Sequence, residues 1–270
     1  MLMRVFIAAL LSVLALIFVL YLFGFRYMSY KVVRGDDTTV VKYIGRVNDE
    51  GNPKWGIVVY PDKTAIVNGS KGTVSYSNGD VYSGELKKML KHGTGVLVYA
   101  GGARYEGTFV NDVPSGSGTY TYSNGDVYTG GFENGVRSGE GTMTWADGSY
   151  YTGGFENDLR SGTGKQVYAS GKSYEGQYLN DLKEGEGTEY FPNGDSYVGS
   201  FSQDRRSGQG TYTWENGEKY VGQWENDVLS GQGTYYWPSG RTVTGTFENG
   251  KIVVGTAVYK DADGTIVAPD

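Results

Sequence analysis

"TGGFENGVRSGEGTMTWADGSYYTGGF", residues 129–155, opens and closes on the same four residues, Thr-Gly-Gly-Phe, 23 positions apart. Glycine loses the most conformational freedom on folding, so its crowding beside Phe132, Trp145 and Tyr151 needs a reason. A phosphate cradle, a flexible linker and a repeat unit each predict different flanking sequence. The flanks repeat the phrase. Tyr-x-Gly recurs at Tyr82, Tyr105, Tyr128, Tyr151, Tyr174, Tyr197 and Tyr220, always 23 residues on. Gly-x-Gly keeps the same frame from Gly93/Gly95 to Gly231/Gly233. Four residues after each Tyr stands Leu86, Phe109, Phe132, Phe155, Tyr178, Phe201, Trp224 and then Phe247. Four after the second Gly stands Tyr99, Tyr122, Trp145, Tyr168, Phe191, Trp214 or Trp237, followed by turn dipeptides such as Asn124-Gly125.

Each repeat reads as two strands. "YEGTFV" (105–110) and "GSGTYTY" (116–122) alternate with period two, and x-Gly dipeptides of the tight-hairpin kind follow the second strand. Tyr105, Gly107 and Phe109 share one face, as do Gly116, Gly118, Tyr120 and Tyr122. Glycine and aromatic ring therefore fall on the same side, where a ring can lie over the bare backbone of a neighbouring strand. Thr and acid occupy the other side, suited to water. The expected fold is all-β: a single-layer, twisted antiparallel meander of hairpins, preceded by one transmembrane helix. Some sixteen strands at ~4.8 Å each give a ribbon about 75–80 Å long, with contacts between neighbours only. The array covers 72–255, after a degenerate capping region at 35–71 and before a cap and tail at 256–270.

Glycine is 44 of 270 residues, well above ordinary usage and without collagen's three-residue period. The 24 Tyr and 10 Phe argue against disorder. With no Cys, neither disulfide nor thiolate chemistry is available. Residues 1–34 carry Arg4, Arg26, Lys31 and Arg34 and no acid, so of the net −6 the remainder holds −10. An acidic body excludes nucleic acid as a main partner, because phosphate neutralisation needs basic surface.

The run from Val5 to Phe25 is uncharged and almost wholly apolar, close to the ~20 residues that cross a bilayer core. Tyr21, Tyr27 and Tyr30 stand where interfacial aromatics would. A cleaved signal peptide has a shorter apolar run and a small-residue cleavage site, which this sequence lacks. A retained single-pass anchor in the cell membrane is expected. The flanking charges favour a cytoplasmic body, whereas the short tail ahead of the span is the usual layout of an exported one; the expectation adopted is an extracytoplasmic body.

The unit Y-x-G-x-F-x-N-x-x-x-x-G-x-G-x-x-x-W/Y-x-x-G resembles the MORN repeat (membrane occupation and recognition nexus), in seven consecutive units in one register. Such arrays occur in junctophilins, plant phosphatidylinositol-phosphate kinases, SET-domain lysine methyltransferases and many bacterial membrane proteins. The resemblance implies a glycine-packed hairpin ribbon used for attachment and dimerisation, with chemistry in separate domains. Only "TAVYKDADGTIVAPD" (256–270) follows the array, so no kinase or methyltransferase activity is expected.

Candidate chemistry is sparse. His92, the only histidine, is placed in a hairpin loop as a solvated residue; alone, without Cys, it founds neither a zinc site nor a triad. The Gly-x-Gly phrases open no helix, so the anion site of a helix N-terminus is missing. Glu106, Glu133, Glu156, Glu175, Glu225 and Glu248 recur with the repeat and read as solubilising rather than as a glycosidase pair. Nine residues past each Tyr lies Lys91, Arg137, Arg160, Lys183 or Arg206, interleaved with Asp112, Asp158, Asp181, Asp204 and Asp227. These charges read either as polar loop residues or as an edge that docks a charged partner. Lys87, Lys88 and Lys91 are candidates for anionic lipid head groups.

The aromatic face is the main candidate surface. Nothing covers one side of a single-layer sheet, so Tyr105, Phe109, Tyr122, Tyr128, Trp145, Tyr151, Tyr174, Trp214, Tyr220, Trp224 and Trp237 are expected to be partly exposed. Extended apolar surface marks interaction sites, and Tyr and Trp are favoured at them. The function expected is a membrane-anchored, non-enzymatic scaffold that binds a protein partner (a membrane protein, an enzyme subunit or its own twin), with no cofactor and no metal. The alternative is a module that holds extracytoplasmic polysaccharide or a phospholipid head group.

Overall fold

The computed structural model describes residues 2–34 and 37–268, with side chains described for all of these except 2–5, 8, 32–34 and 37. The chain divides into two compact bodies, Met1–Val136 and Arg137–Asp270. The first holds a helix, α1 (Leu2–Leu22), and strands β1 (Phe25–Arg34), β2 (Asp37–Val47), β3 (Pro53–Val59), β4 (Thr64–Asn68), β5 (Thr73–Tyr76), β6 (Val81–Lys87), β7 (Leu90–Val98), β8 (Arg104–Val110), β9 (Val113–Thr121) and β10 (Val127–Glu133). From the boundary onward come β11 (Val136–Thr144), β12 (Tyr150–Glu156), β13 (Leu159–Val167), β14 (Ser173–Leu179), β15 (Leu182–Tyr190), β16 (Ser196–Ser202), β17 (Arg205–Thr213), β18 (Lys219–Glu225), β19 (Val228–Tyr236), β20 (Thr242–Glu248), β21 (Lys251–Ile252), β22 (Val258–Lys260) and β23 (Ile266–Val267). Within each body the strands form an antiparallel meander of sequence neighbours, save that β22 pairs with β20 rather than with β21.

One hairpin shows why the repeat folds so. In β8 and β9 Gly107 faces Gly118, and between Gly107 and Phe109 the register slips so that Phe109 faces Pro114. The same slip recurs at Gly84/Leu86, Gly153/Phe155, Gly176/Tyr178 and Gly199/Phe201. The hairpin closes through Asn111 and Asp112, both left-handed with φ of 50° and 74°, the signature of a two-residue type I′ turn. The x-Gly dipeptide, expected to make the tight turn, instead sits in a wider one. There Tyr122 N donates to Asp126 O (2.8 Å) and Gly125 N to Tyr122 O (3.0 Å).

The glycine pair is a clearing for the tyrosine. Tyr105 is fully buried, its hydroxyl donates to Thr108 O (3.0 Å), and a Cβ at Gly118 would stand 2.5 Å from that hydroxyl. Its ring meets Phe109 and Phe132 edge-on, each at 5.0 Å. The second body repeats the arrangement: Tyr174 meets Tyr178 (5.2 Å) and Phe201 (5.0 Å), and Tyr220 meets Trp224 (5.5 Å) and Phe247 (5.0 Å). Within each body, tyrosines such as Tyr82, Tyr105, Tyr151, Tyr174 and Tyr197 cover their own glycines and are covered by a ring of the next repeat. The expectation of partial exposure is therefore corrected for Tyr105, Phe109, Tyr128, Tyr151, Tyr174, Tyr220 and Trp224, all of which are buried.

Helix α1 ends at Leu22, and Phe25, the expected end of the apolar span, already opens β1. Among the described residues no helix is long and apolar enough to cross a membrane, so the expected transmembrane helix is not shown. The side chains of Val5, where that span begins, and of Arg4 and Arg34 lie outside the described residues. What α1 does display is uncovered apolar surface: Phe6, Leu10, Leu11, Ile17 and Phe18 are 56–78% exposed.

Candidate functional site

The periodic charges close on one another. Lys91 Nζ meets Asp112 Oδ1 at 3.3 Å, and the Nε atoms of Arg137, Arg160 and Arg206 meet Asp158, Asp181 and Asp227 at 3.0 Å. Around each arginine the contact is fourfold. Arg160 N and Nε both donate to Asp181 Oδ1 (2.9 and 3.0 Å), Nη2 donates to Asp181 O (2.6 Å), and Asp181 N returns a bond to Arg160 O (3.0 Å). The guanidinium also lies over aromatic rings, Arg160 over Tyr178 at 4.8 Å and Arg206 over Trp224 at 4.5 Å. Where Pro114 and Leu229 break the series, only the backbone bond survives, from Gly135 N and Gly250 N. Lys183 departs differently: its Nζ bonds the buried Glu189, which Lys172 also reaches at 2.9 Å. These groups join consecutive hairpins, which favours their reading as loop residues over that of an edge that docks a charged partner.

The lysine cluster divides. Lys87 and Lys88 are exposed, whereas Lys91 is buried with its ammonium on Asp112 and over Tyr76, which corrects its expected role as a lipid contact. His92 lies in β7 rather than a loop, with Nδ1 buried and without a hydrogen-bond partner among the described residues. The six periodic glutamates are all exposed. Among the described residues no group of His, Asp or Glu could hold a metal ion.

Four expected surface residues remain half-buried: Tyr122, Trp145, Trp214 and Trp237. Each begins a wide turn; Trp214 N donates to Glu218 O and Trp237 N to Arg241 O, both at 2.9 Å. In the second body two of them belong to a continuous strip. Phe191 meets Tyr212 (5.8 Å), Tyr212 meets Trp214 (4.7 Å), Trp214 meets Tyr235 (5.2 Å) and Tyr235 meets Trp237 (4.9 Å). All five rings are half-buried. Tyr212 donates to Asp195 Oδ2 (2.6 Å) and Tyr235 to Glu218 Oε2 (2.5 Å). These bonds hold both carboxyls below their usual range, while burial first and the Asp195 bond second push Tyr212 up to about 12. Phe191, Tyr212 and Tyr235 were missed as surface residues in the sequence. Period two places Tyr212 and Tyr235 on the face of Trp214 and Trp237, and that spacing was the available signal.

The MORN repeat pattern matches residues 82–104, 105–127, 128–150, 151–173, 174–196, 197–219 and 220–240. No curated protein is a match for this chain. Among solved structures, the SAS-4 (dCPAP) TCP domain of Drosophila melanogaster, in complex with a proline-rich motif of Ana2 (dSTIL), is 14% identical over 64% of this chain and 87% of that one, with a TM-score of 0.37. Streptogramin B lyase is 13% identical over 90% of this chain and 93% of that one, with a TM-score of 0.17. Likenesses this distant carry no argument about function. The seven matched segments run unbroken through more than half of the 270 residues, each starting on the tyrosine of the Tyr-x-Gly phrase, and the chain belongs to the MORN-repeat family.

Proposed function

We propose that this chain is a membrane-attached, non-enzymatic scaffold whose repeats hold a protein partner along the aromatic strip of residues 191–237. The observation that carries the proposal is the continuous row of half-buried rings from Phe191 to Trp237. Such rings supply large contact area at little entropic cost, and Tyr and Trp dominate interface energetics. Attachment rests on the uncovered apolar side chains of α1, with the repeats on the extracytoplasmic side. A photo-crosslinking residue at Trp214 of the full chain, in native membranes, tests the partner. A discrete protein adduct, absent when the same group replaces Thr234 on the opposite face, is the expected result. Adducts to glycan alone would replace the scaffold with a polysaccharide-binding module. Fractionation tests attachment: the chain stays in the membrane pellet, and Leu11→Asp with Leu14→Asp releases it. A reporter active on one side only, fused to the C-terminus, reads the orientation. Exposed Lys87 and Lys88 favour a second reading, contact with anionic head groups; binding to phosphatidylserine vesicles that Lys87→Ala with Lys88→Ala abolishes would support it.

A further inference from the structure

Resting on the scaffold reading, we infer that the strip takes a basic, proline-rich segment in the polyproline II conformation, lying across the strands with a proline at every third residue. The first argument is pitch. Phe191, Trp214 and Trp237 occupy the same place in successive repeats, at the ends of β15, β17 and β19. Equivalent rings are thus two strands apart, about 9.6 Å at ~4.8 Å per strand. Polyproline II rises ~3.1 Å per residue with three residues per turn, so it presents the same face every ~9.3 Å. An extended strand repeats its face every ~6.6 Å and a helix every ~5.4 Å, and neither falls in step with the rings. Sheet twist of roughly 20° per strand confines the match to a few repeats, so the footprint is three prolines over three rings.

The second argument is the backbone. The strip lies on the face of the sheet, where the strands β16 to β20 already spend their N–H and C=O groups on one another. A ligand there gains no ladder, which disfavours an added strand and suits polyproline II, whose backbone makes no internal hydrogen bonds and stays solvated. The indole N–H groups of Trp214 and Trp237 donate to no partner among the described residues, and each can donate to a ligand carbonyl. The third argument is charge. Asp195 and Glu218 line the strip through Tyr212 and Tyr235, and exposed Glu215 follows Trp214. Two cations reach the rings, Arg206 over Tyr212 and Lys172 over Phe191 at 5.0 Å, and they are held by Asp227 and Glu189. Residues 137–270 contain 19 acidic and 11 basic residues, a net −8, which favours a basic occupant.

The test uses the full chain in detergent micelles and three dye-labelled peptides followed by fluorescence anisotropy. Pro-Ala-Arg repeated three times carries the three-residue period; Pro-Pro-Pro-Ala-Ala-Ala-Arg-Arg-Arg has the same composition without it; Pro-Ala-Glu repeated three times reverses the charge. The periodic basic peptide is expected to bind about tenfold or more tightly than either of the others, and Trp214→Ala, in a chain whose circular dichroism is unchanged, to weaken it about tenfold. Glu215→Lys, at an exposed position that keeps the rings, is expected to weaken it severalfold. Equal affinity for the two basic peptides, or full affinity in Trp214→Ala, overturns the inference. If no peptide binds while crosslinking at Trp214 still yields a protein adduct, the inference falls and the scaffold reading stands; if both fail, both fall.

Discussion

At the scale of single residues, glycine serves two separate needs. Gly118 supplies space: its Cβ would meet Tyr105 Oη at 2.5 Å and Cε2 at 2.6 Å, and the ring cannot retreat, being held by Thr108 O and by Phe109 and Phe132. Gly118→Ala is expected to lower stability by about 1–3 kcal/mol in urea unfolding, the range for overpacking a core. Gly162 supplies conformation: with φ of 75° and nothing within 4 Å of its would-be Cβ, Ala there costs about 1 kcal/mol, through the left-handed backbone alone. An equal loss at both sites would undo the distinction. The pairing of glycine with ring was legible from the 23-residue period, but the two kinds of glycine were not, because the sequence writes both as Gly-x-Gly. Tyr178 is a related case. It stands where the other repeats have Leu, Phe or Trp, and its buried hydroxyl has no hydrogen-bond partner among the described residues. Removing an unsatisfied buried hydroxyl recovers its desolvation cost, so Tyr178→Phe is expected to raise the unfolding free energy by about 1–3 kcal/mol in urea unfolding; a lower value would mean that the hydroxyl is bonded.

At the scale of the hairpin, the two-residue turn and the link to the previous repeat are one device. Asp181 has φ of 70° and takes two bonds from Arg160 on its carboxylate, while its own N–H and C=O complete the set. Its side chain is 44% exposed, so the ion pair as such is worth little, about 0–1 kcal/mol. The hydrogen bonds and the tolerance of Asp and Asn for left-handed backbone carry the rest. Asp181→Ala is therefore expected to cost about 1–2 kcal/mol and Asp181→Asn less than half of that, as read by urea unfolding at two salt concentrations. Equal losses, shrinking in high salt, would instead make the charge the main contribution. Both members of each pair were visible in the sequence as a periodic base and a periodic acid. Their meeting was not, because it depends on the register slip at Gly153/Phe155 and its equivalents. The acid that meets each base lies 21 positions on, in the turn of the following hairpin, and no residue type announces the slip.

At the scale of the whole chain, the strand pattern was legible because every repeat states it again, and the error concerned which rings remain outside. Period two assigns a face, but burial on that face depends on neighbouring repeats: Tyr151 is covered by Phe155 and Tyr178, whereas Trp145 and Trp214 begin wide turns at the strand ends. The buried column gives the molecule a pH limit. Burial, the largest cause at each, pushes Tyr43, Tyr105, Tyr151 and Tyr220 up to about 12, and raises Tyr82, Tyr174 and Tyr197 still further. In the unfolded chain these groups titrate near ~10. Their folded pKa values lie above the unfolded ones, so the unfolded chain gives up its protons first on the alkaline side. The stability they contribute is complete below pH ~10 and is lost as pH climbs through ~12. Within each body the repeat tyrosines are joined through rings, Tyr82 to Tyr105 by Phe109 and Tyr151 to Tyr220 by Tyr178, Phe201 and Trp224, so their losses accumulate in one transition per body rather than one tyrosine at a time. Tyrosinate absorbance and far-ultraviolet circular dichroism, followed together from neutral to strongly alkaline pH, are expected to show a steep late rise in tyrosinate coincident with loss of the β signal. A smooth titration of all 24 tyrosines near pH ~10 with the β signal intact would show that the column is open to solvent.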